Sequence, residues 1–396
     1  MSFLVLNAGS SSIRFSVHST THPGERLLSG TIERIGMAGT ELVFSDQVRE
    51  LKHVVSVTTA NRGEAVSFLL DWLEEKGVFK SVGAVGHRLV HGMAHTEPAM
   101  VSPELITELK TLTPYDPEHL PAEIQLIEAI EARHAGLPQV VCFDTAFHSA
   151  MPRVATQLAI PRRYEALGLR RYGFHGLSYS FVMEELMRLD GAAATGKVIL
   201  AHLGGGASLA AVEQGKCLDT SMGFSPASGV MMGTRTGDLD PGVSYFLGCH
   251  EGMSPEALQH LVNHESGLLG VSETSADFRD LLERENDDVR AADALALFCY
   301  QVKKCIGSYA AVLGGLDTLV FTGGIGENSA IARERICKGL GFLGVQLRPE
   351  SNARNDSVIS RGVVEVRVIR THEEVMIARA VMGVMEARDN ARLAIL

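Results

Sequence analysis

Short apolar runs alternate with stretches of helical periodicity along the chain, which predicts an α/β fold. The first run, "LVLNAGSSSIRFSV", begins at Leu4, passes through a turn of small and hydroxyl residues, and then alternates apolar and polar residues up to Val17. A period of two is typical of β-strands, so this stretch predicts a β-hairpin. Residues 197–212 repeat the plan, with Gly205 at the place of Gly9. We therefore expect two halves that each open with a hairpin.

The rest of the pattern predicts alternating helices and buried strands. Residues 119–138 place one apolar face along a helix that a glycine and a proline end. Further predicted elements are a helix in 64–75, a strand in 82–92, a strand from 139 to Asp144, a long helix at about 289–312, a strand at 318–324, a helix from about 329, a strand at 363–369 and a final amphipathic helix.

The domain boundary is predicted just past Asp144, where a buried strand ends. Residues 1–147, joined by a returning C-terminal helix at about 376–396, are expected to form an acyl- and metal-binding domain. Residues 148–375 are expected to form a nucleotide-binding and dimerisation domain.

The charge balance excludes broad classes of partner. The 396 residues carry a net charge of −11 at pH 7, so the chain has no general attraction for nucleic acid or anionic membranes. No apolar run reaches the roughly 18 residues of a membrane helix, and no signal-peptide pattern opens the sequence. The six cysteines lack CxxC spacing, which is typical of thiols in a reducing compartment. We therefore expect a cytoplasmic protein that binds neither membranes nor nucleic acid.

Three glycine-rich turns follow apolar strands: "LNAGSSS", "HLGGGAS" and "FTGGIGEN". Small residues let backbone N–H groups approach an anion closely, and serine hydroxyls add donors. One such turn is common in hairpins, whereas three in one chain favour phosphate binding. None has P-loop spacing, and none is a good GxGxxG before a helix. The turns therefore predict a phosphate site outside the P-loop and Rossmann classes.

Five ionisable residues stand at the ends of apolar elements, where α/β folds keep their sites. Arg88 and Arg235 carry guanidinium forks that suit carboxylate and phosphoryl oxygens, although most arginines are surface charges. Asp144 is either a catalytic or metal-orienting acid or a helix N-cap. His175 lies in a glycine turn, although a lone histidine is more often structural. Glu373 begins the last helix, where the helix dipole favours an acid regardless of function.

Taken together, the motifs resemble those of the acetate kinase family. They include, in that family's order, "LNAGSSS", "GHRLVHG", "FDTAFH", "YGFHG", "DTSMGFSP", "MMGTRTGDLDP", "DFRD", "TGGIGEN" and "THEEVMIAR". The resemblance implies the actin-like ATPase fold, with two ribonuclease-H-like domains around a nucleotide cleft. It also implies reversible in-line phosphoryl transfer from ATP to a short-chain carboxylate such as acetate, giving acyl phosphate and ADP. The implied metal is Mg²⁺ or Mn²⁺, and the implied assembly is a homodimer.

The resemblance also implies roles for individual residues. The catalytic positions are Asp144, Arg88, Arg235 and His175, and the metal positions are Asn7 and Glu373. The implied substrate-binding residues are Arg88 and an apolar acyl pocket of Val90, Phe174 and Pro226. The nucleotide positions are Ser12, Arg14, His202, Gly204, Gly205, Gly206, Asp277, Phe278, Arg279, Gly323, Gly324, Ile325, Gly326, Glu327 and Asn328, with Ser10 also near the transferred group. Because a carboxylate substrate is already ionised near neutral pH, Asp144 is expected to orient an arginine or the metal.

Two segments depart from the family pattern. The usual "APLHNP", with its active-site histidine, is "TPYDPEHLP" here, and the usual "HLGNGAS" has Gly205 in place of its asparagine. We expect Tyr115 to take over part of the pocket wall, and His119 to have a surface or core role. These losses leave open a kinase for propionate or another short acid, a low-activity paralogue, or a nucleotide-gated binding protein. The two arginines that can bind a carboxylate and the apolar acyl pocket favour a kinase over a nucleotide-gated binding protein, which needs neither feature.

Overall fold

The chain folds around two separate β-sheets, one in each of two units. This computed structural model describes residues 1–9, 12–35, 39–46, 52–59 and 61–393. The first unit comprises Met1–Ala146 with His372–Leu396, and the second comprises Phe147–Thr371. Glu373 therefore belongs to the first unit, since the C-terminal segment returns slightly earlier than residue 376. The roles expected for the two halves stay predictions.

The first unit is built on an eight-stranded sheet with the order β5-β4-β3-β2-β1-β6-β8-β7. Strands β1 to β5 form an antiparallel meander, whereas β1, β6 and β8 run parallel. The elements are β1 Ser2–Ala8, β2 Ile13–Ser19, β3 Arg26–Glu33, β4 Glu41–Asp46, β5 Lys52–Ser56, α1 Arg62–Glu75, β6 Val82–Leu89, β7 Ala99–Met100, α2 Pro103–Leu112, α3 Leu120–Arg133 and β8 Gln139–Phe143.

The second unit is built on a five-stranded sheet with the order β11-β10-β9-β12-β13. Strands β9, β12 and β13 are parallel, and β9, β10 and β11 are antiparallel. The elements are α4 Arg153–Thr156, α5 Gly176–Leu189, α6 Gly191–Thr195, β9 Lys197–Leu203, β10 Ala207–Glu213, β11 Lys216–Thr220, α7 Pro241–His250, α8 Pro255–His260, α9 Gly267–Ser272, α10 Phe278–Arg284, α11 Val289–Leu313, β12 Thr318–Thr322, α12 Gly323–Asn328, α13 Ala330–Cys337, α14 Pro349–Ala353 and β13 Glu365–Val368; the chain then returns to the first unit through α15 Glu373–Leu393.

Apolar faces on the helices and strands account for both cores. In the first unit, Leu4 and Leu6 of β1 pack with Leu69 and Leu73 of α1, all fully or almost fully buried. In the second unit, α5 covers one side of the sheet and packs against Val198 and neighbouring residues, and α11 packs on β10. Among the described residues, no helix is both long and apolar enough to cross a bilayer.

The elements predicted from periodicity are confirmed, with one difference at a glycine-rich turn. Both hairpins form, and the long helix spans Val289–Leu313. Residues Gly323–Asn328, predicted as a turn, form the short helix α12. Glu327 explains the difference, because its side chain accepts the N–H of Gly323 at 3.0 Å and so satisfies a donor at the helix start.

Candidate active site

A buried ion pair lies at the carboxyl ends of two parallel strands of the first unit. Arg88, on β6, donates to Oδ2 of Asp144 from Nε at 3.1 Å and from Nη2 at 2.6 Å. The Asp144 side chain is 0% exposed and that of Arg88 is 13% exposed. Burial opposes the charge on Arg88, but the carboxylates of Asp144, Glu373 and Glu123 outweigh it and raise its pKa. The pair therefore holds a cation in a fixed place, where it can bind an anionic group.

The two predicted metal positions are in contact, although they are 366 positions apart in the chain. Nδ2 of Asn7 donates to Oε2 of Glu373 at 3.2 Å, and Oδ1 of Asn7 accepts from Nη1 of Arg88 at 3.3 Å. Burial raises the pKa of Glu373 to about 7, with Arg88 opposing the shift and Asp144 and Glu374 adding to it. A cation would relieve this surplus of negative charge.

The chemistry of these groups fits Mg²⁺. The available ligands are carboxylate and amide oxygens, and Mg²⁺ is usually held by one or two carboxylates together with water and substrate phosphates. Across the described ranges, no group of three or more His, Cys, Asp and Glu side chains forms a closed metal cage. The residues present therefore suit a cation that arrives with a phosphate ligand better than a resident structural metal.

The first hairpin turn is described only in part. Arg14 pairs with Asn7 in the register of β1 and β2, and its side chain is exposed. The N–H of Gly9 donates to the carbonyl of Ser12 at 2.9 Å. Ser10, expected near the transferred group, lies outside the described residues. Of the two described nucleotide positions of this segment, Arg14 thus adjoins Asn7 in the sheet, and Ser12 lies at the turn beyond it.

The predicted acyl-pocket residue Val90 is held by a carboxyl group that sequence reasoning missed. The N–H of Val90 donates to both oxygens of Glu123, at 3.2 and 3.1 Å. Glu123 lies in the first turn of α3 and is 2% exposed. The sequence feature that could have revealed Glu123 is its position on the helix. It lies three residues after Leu120 and therefore falls on the apolar face.

The segment that departs from the family pattern carries a second buried polar pair. Tyr115 ends a short 3₁₀ turn, Thr113–Tyr115, and is half-buried. Nδ1 of His119 and Oδ1 of Asp116 form a hydrogen bond of 2.8 Å, and both residues are buried. His119 therefore has the core position considered for it, and the effect of Tyr115 on acid choice stays a prediction.

In the second unit, His175 has an unusual backbone conformation. It lies just before α5 with φ of 61°, a left-handed region that non-glycine residues seldom adopt and that is common at functional sites. Its Nδ1 is 2.8 Å from Oγ of Ser208, which also bonds the hydroxyl of Tyr179. The ring stacks on that of His202 with centroids 4.2 Å apart. These contacts fix the orientation of both predicted histidines.

Two glycine-rich turns meet beside these histidines. A side-chain carbon on Gly204 would lie 3.7 Å from the backbone N of Gly324, so the β9–β10 turn touches the start of α12. Gly323 makes this contact possible: it has φ of +77°, and a side-chain carbon there would lie 2.7 Å from the carbonyl oxygen of Leu203. Glu327 also accepts the N–H of Thr371 at 3.1 Å. The geometry assigns Glu327 to holding this turn.

The loop that carries Arg235 reaches the same turn. A side-chain carbon on Gly206 would lie 3.2 Å from Nε2 of His175 and 3.9 Å from Nη1 of Arg235. The loop is also bonded to the turn, because the N–H of Gly233 donates to the carbonyl of Gly205 at 3.0 Å. Nη1 of Arg235 further donates to the carbonyl of predicted pocket residue Pro226 at 3.3 Å. Cationic, imidazole and backbone donors therefore converge on one turn.

A single glycine permits the backbone contact that supports the Arg235 loop. Gly267 has φ of +64°, and a side-chain carbon there would lie 2.2 Å from the carbonyl oxygen of Met232 and 2.8 Å from that of Arg235. The following N–H, of Leu268, donates to the Met232 carbonyl at 2.8 Å. The loop is thus positioned by close backbone packing that only glycine allows.

The remaining predicted nucleotide positions and the pocket residue Phe174 range from buried to exposed. Asp277 caps α10 and pairs with Arg279 at 2.7 Å near the surface. The ring of Phe278 is buried against Phe298, at 5.4 Å between centroids, so only its backbone is available to a ligand. Phe174 is buried, and its carbonyl accepts from Nε2 of His148 at 2.9 Å. On α12, Gly324 and Asn328 are exposed, Ile325 is half-buried and Gly326 is buried.

A buried arginine that sequence reasoning missed secures α12. Arg333 is 0% exposed, and Nη1 donates to the carbonyls of Gly326 at 2.8 Å and Glu327 at 3.0 Å. Nε and Nη2 donate to the side chain and backbone of Asn352, and Nη2 also bonds Oδ1 of Asn355. All five N–H donors of the guanidinium are used.

Comparison with known proteins identifies the family of the chain. A model of the acetokinase family matches residues 2–379. The chain belongs to the acetokinase family. It is 43% identical over 390 residues to a propionate kinase of Citrobacter rodentium, with 96% of each chain covered. It is 42% identical over 388 residues to an acetate kinase of Rhodopseudomonas palustris, covering 96% of this chain and 97% of the relative.

Solved structures of the acetokinase family share the fold. The Porphyromonas gingivalis acetate kinase superposes with a TM-score of 0.86 at 38% identity, covering 97% of this chain and 99% of that one. A propionate kinase from Francisella tularensis gives a TM-score of 0.89 at 34% identity, covering 96% and 98%. These matches confirm the predicted α/β class with two domains of the actin-like ATPase type.

Proposed function

We propose that this chain is an ATP-dependent kinase of short-chain carboxylic acids, which transfers the terminal phosphoryl group of ATP to acetate or propionate and yields an acyl phosphate and ADP. The observation that carries the proposal is the buried Arg88–Asp144 pair, whose arginine lies two residues before Val90, the apolar pocket residue that the family resemblance implies. A fixed cation next to an apolar wall matches a small acid, which has one charged end and one apolar end.

The first unit's residues bind and orient the acid. Arg88 stays charged and pairs with the substrate carboxylate, while Asp144 keeps the guanidinium in place. The attacking carboxylate oxygen needs no deprotonation, since carboxylic acids are ionised near neutral pH. Asp144 is therefore a positioning residue, and no general base is required at this step.

The second unit's residues are suited to a nucleotide and to a transferring phosphoryl group. The turns at Gly204–Gly206 and at Gly323–Gly324 offer backbone N–H groups, and His175 and Arg235 converge on the first of them. A phosphoryl transition state spreads negative charge over its equatorial oxygens, so fixed donors and a guanidinium lower the barrier by positioning and by electrostatic stabilisation.

Asn7 and Glu373 are the residues proposed to hold Mg²⁺. Their oxygen donors and the surplus negative charge around Glu373 support this assignment. When bound with ATP, the ion neutralises phosphate charge. Both acetate and propionate are retained as substrates because relatives named for each acid match the chain equally well.

The test is a coupled assay of purified protein with ATP, Mg²⁺ and straight-chain acids of two to five carbons, with acyl phosphate trapped as the hydroxamate. Acetate or propionate should give product. Arg235→Ala should lower kcat by orders of magnitude. Arg354→Ala should not, because Arg354 is an exposed arginine that pairs with Asp356 at the surface. Absence of acyl phosphate with every acid would contradict the proposal.

Arg88 needs a gentler substitution than alanine. Removing it would leave the carboxylate of Asp144 buried without its cation, which typically costs 3–5 kcal/mol. Arg88→Lys keeps a charge but loses the two-donor contact to Asp144. We expect it to fold and to raise the KM for the acid, as measured in the same assay.

The proposed assembly is a homodimer formed through the second unit. The residues of α7 are all exposed or half-buried, and Tyr245 and Phe246 on it are 73% and 53% exposed. An apolar helix of this kind usually packs against a partner. Light scattering should give about twice the 42.6 kDa chain mass, and Phe246→Asp should give a monomer. Val363→Asp is the control, since Val363 is an isolated apolar residue that is 92% exposed.

We also propose a cytoplasmic location. All six cysteines are free thiols, four of them buried, which suits a reducing compartment. Fractionation of cells expressing the full chain should recover it in the cytoplasmic fraction.

A further inference from the structure

One peptide group, that between Leu89 and Val90, is held at both of its polar atoms. The carbonyl of Leu89 accepts the N–H of Asp144 at 2.9 Å, and the N–H of Val90 donates to both oxygens of Glu123. This peptide lies between Arg88, which carries the cation, and the apolar side chain of Val90. Its orientation therefore sets how far the cation lies from the apolar wall.

A carboxyl group is an expensive way to make this contact. Glu123 lies on the apolar face of α3 between buried Leu120 and Ile127, where a carboxyl group costs free energy to bury unless it is hydrogen-bonded. Burial raises the pKa of Glu123 well above its usual range, and the carboxylate of Asp116 raises it further. Glu123 is costly to bury and hydrogen-bonds the peptide just after the Arg88 strand, which indicates a function in that contact.

The acidic groups around Arg88 also indicate that Glu123 has a function in its contact with the Val90 peptide. Asp144 and Glu373 already face the guanidinium, and Glu123 adds a third acidic group to its surroundings. If all three were ionised, they would over-neutralise the cation that must attract an anionic acid. A neutral Glu123 holds the peptide without this cost, because its carbonyl oxygen accepts the Val90 N–H.

We propose that Glu123 is a positioning residue that sets the acid specificity of this chain, by fixing the Leu89–Val90 peptide and thereby the separation between Arg88 and the wall formed by Val90. The proposal rests on the proposed kinase function. Asp116 and His119 support Glu123, since their hydrogen bond lies at the start of the same helix and the helix N–H of Glu123 donates to the His119 carbonyl at 3.1 Å.

Three variants separate geometry from charge. Glu123→Gln keeps the length and a carbonyl acceptor, so acid KM and the ratios of kcat/KM for acetate, propionate and butyrate should stay within about two-fold of wild type. Glu123→Asp keeps the acid but withdraws it by one methylene, and Glu123→Leu removes the acceptor. Both should raise acid KM by about ten-fold or more and change the chain-length ratios, while KM for ATP stays within two-fold.

Glu128→Leu, at an exposed position of the same helix, is the matched control and should match wild type in every parameter. Amide hydrogen exchange of the peptide that covers Val90 gives a readout independent of activity. It should be faster than wild type in Glu123→Asp and unchanged in Glu123→Gln.

The outcomes are distinguishable. A wild-type protein that phosphorylates no acid would sink the kinase function itself, and hydrogen exchange would still report on the peptide. An active wild type with Glu123→Asp indistinguishable from it would overturn the positioning role. Loss of acid binding in Glu123→Gln equal to that in Glu123→Asp would also overturn it, since charge rather than geometry would then be decisive. If Glu123→Leu does not fold, the other two variants carry the test.

Discussion

Replacing Arg333 with methionine should destabilise the second unit more than most single substitutions. The side chain is fully buried, and its five N–H donors serve Gly326, Glu327, Asn352 and Asn355. Methionine has a similar length but no donor, so five acceptor oxygens lose a hydrogen bond. The carbonyl of Asn352 keeps the N–H of Asn355, which leaves four orphaned acceptors, and at about 1 kcal/mol for each the expected loss is about 4 kcal/mol.

A lysine at this position should give an intermediate result. Its ammonium has three donors in a tetrahedral arrangement and cannot reproduce the planar fork. Its donors cannot follow the directions of the fork, so we expect about half of the methionine loss, about 2 kcal/mol. Arg335→Met is the control on the same helix, because Arg335 makes a partly exposed ion pair with Glu285 that is worth at most about 1 kcal/mol.

Urea unfolding followed by far-ultraviolet circular dichroism measures these losses. The single tryptophan, Trp72, lies in the first unit, so its fluorescence reports on that unit in the same titration. Since Arg333 binds the carbonyls at the end of α12, amides of residues 323–328 should exchange faster in the methionine variant and KM for ATP should rise, with acid KM unchanged. A methionine variant within about 1 kcal/mol of wild type, with unchanged exchange, would refute this reasoning.

The remaining predictions concern backbone fit and pH. Gly267→Ala should lower both stability and kcat, because its side chain would meet the backbone under Arg235. Gly307→Ala is the control and should lower neither, since, apart from its chain neighbours and its own helix backbone, no atom of the described residues lies within 4 Å of the new carbon. Thermal melts and kcat measurements of both variants test this. Gly205→Asn, which also has open space, should change stability by less than about 0.5 kcal/mol and lower KM for ATP by adding an amide donor; an unchanged KM in the coupled assay would contradict this. Burial lowers the pKa of His87 from 6.5 to about 4, so the unfolded chain binds a proton that the folded chain excludes. The contribution of His87 to the free energy of unfolding is therefore intact above pH 6.5 and falls by up to about 3 kcal/mol toward pH 4. Urea titrations across this pH range should show this fall in the wild type, and it should be absent in His87→Gln.

Local patterns in the sequence were sufficient for most of the elements. The two hairpins and the long helix α11 depend on residues that are neighbours in the chain, so their periodicity is visible without any tertiary information. The short helix α12 was not visible, because it forms where Glu327 folds back on Gly323. A glycine-rich stretch has low helix propensity, so its periodicity gave no sign that the Glu327 side chain would satisfy the helix start.

The candidate site depends on contacts that periodicity cannot reveal. Asn7 and Glu373 lie at opposite ends of the chain, and only the family resemblance brought them together before the structure was known. Glu123 and Arg333 lie outside the family-like motifs, so the resemblance implied no role for either, although both side chains are buried. A charged residue on an apolar face is therefore the signal worth following.

The two departures from the family pattern have different physical consequences. In the segment "TPYDPEHLP" the usual histidine is absent, yet the segment and the helix after it bury three polar side chains, Asp116, His119 and Glu123. Of these, Glu123 binds the backbone N–H of Val90, and Asp116 and His119 bind each other. At Gly205, apart from its chain neighbours, no atom of the described residues lies within 4 Å of where a side chain would begin, so the position of the missing asparagine is open. The first departure is thus built into the core, so reversing it would require several coordinated changes. The second leaves an open position at the phosphate-binding turn that a single substitution can fill.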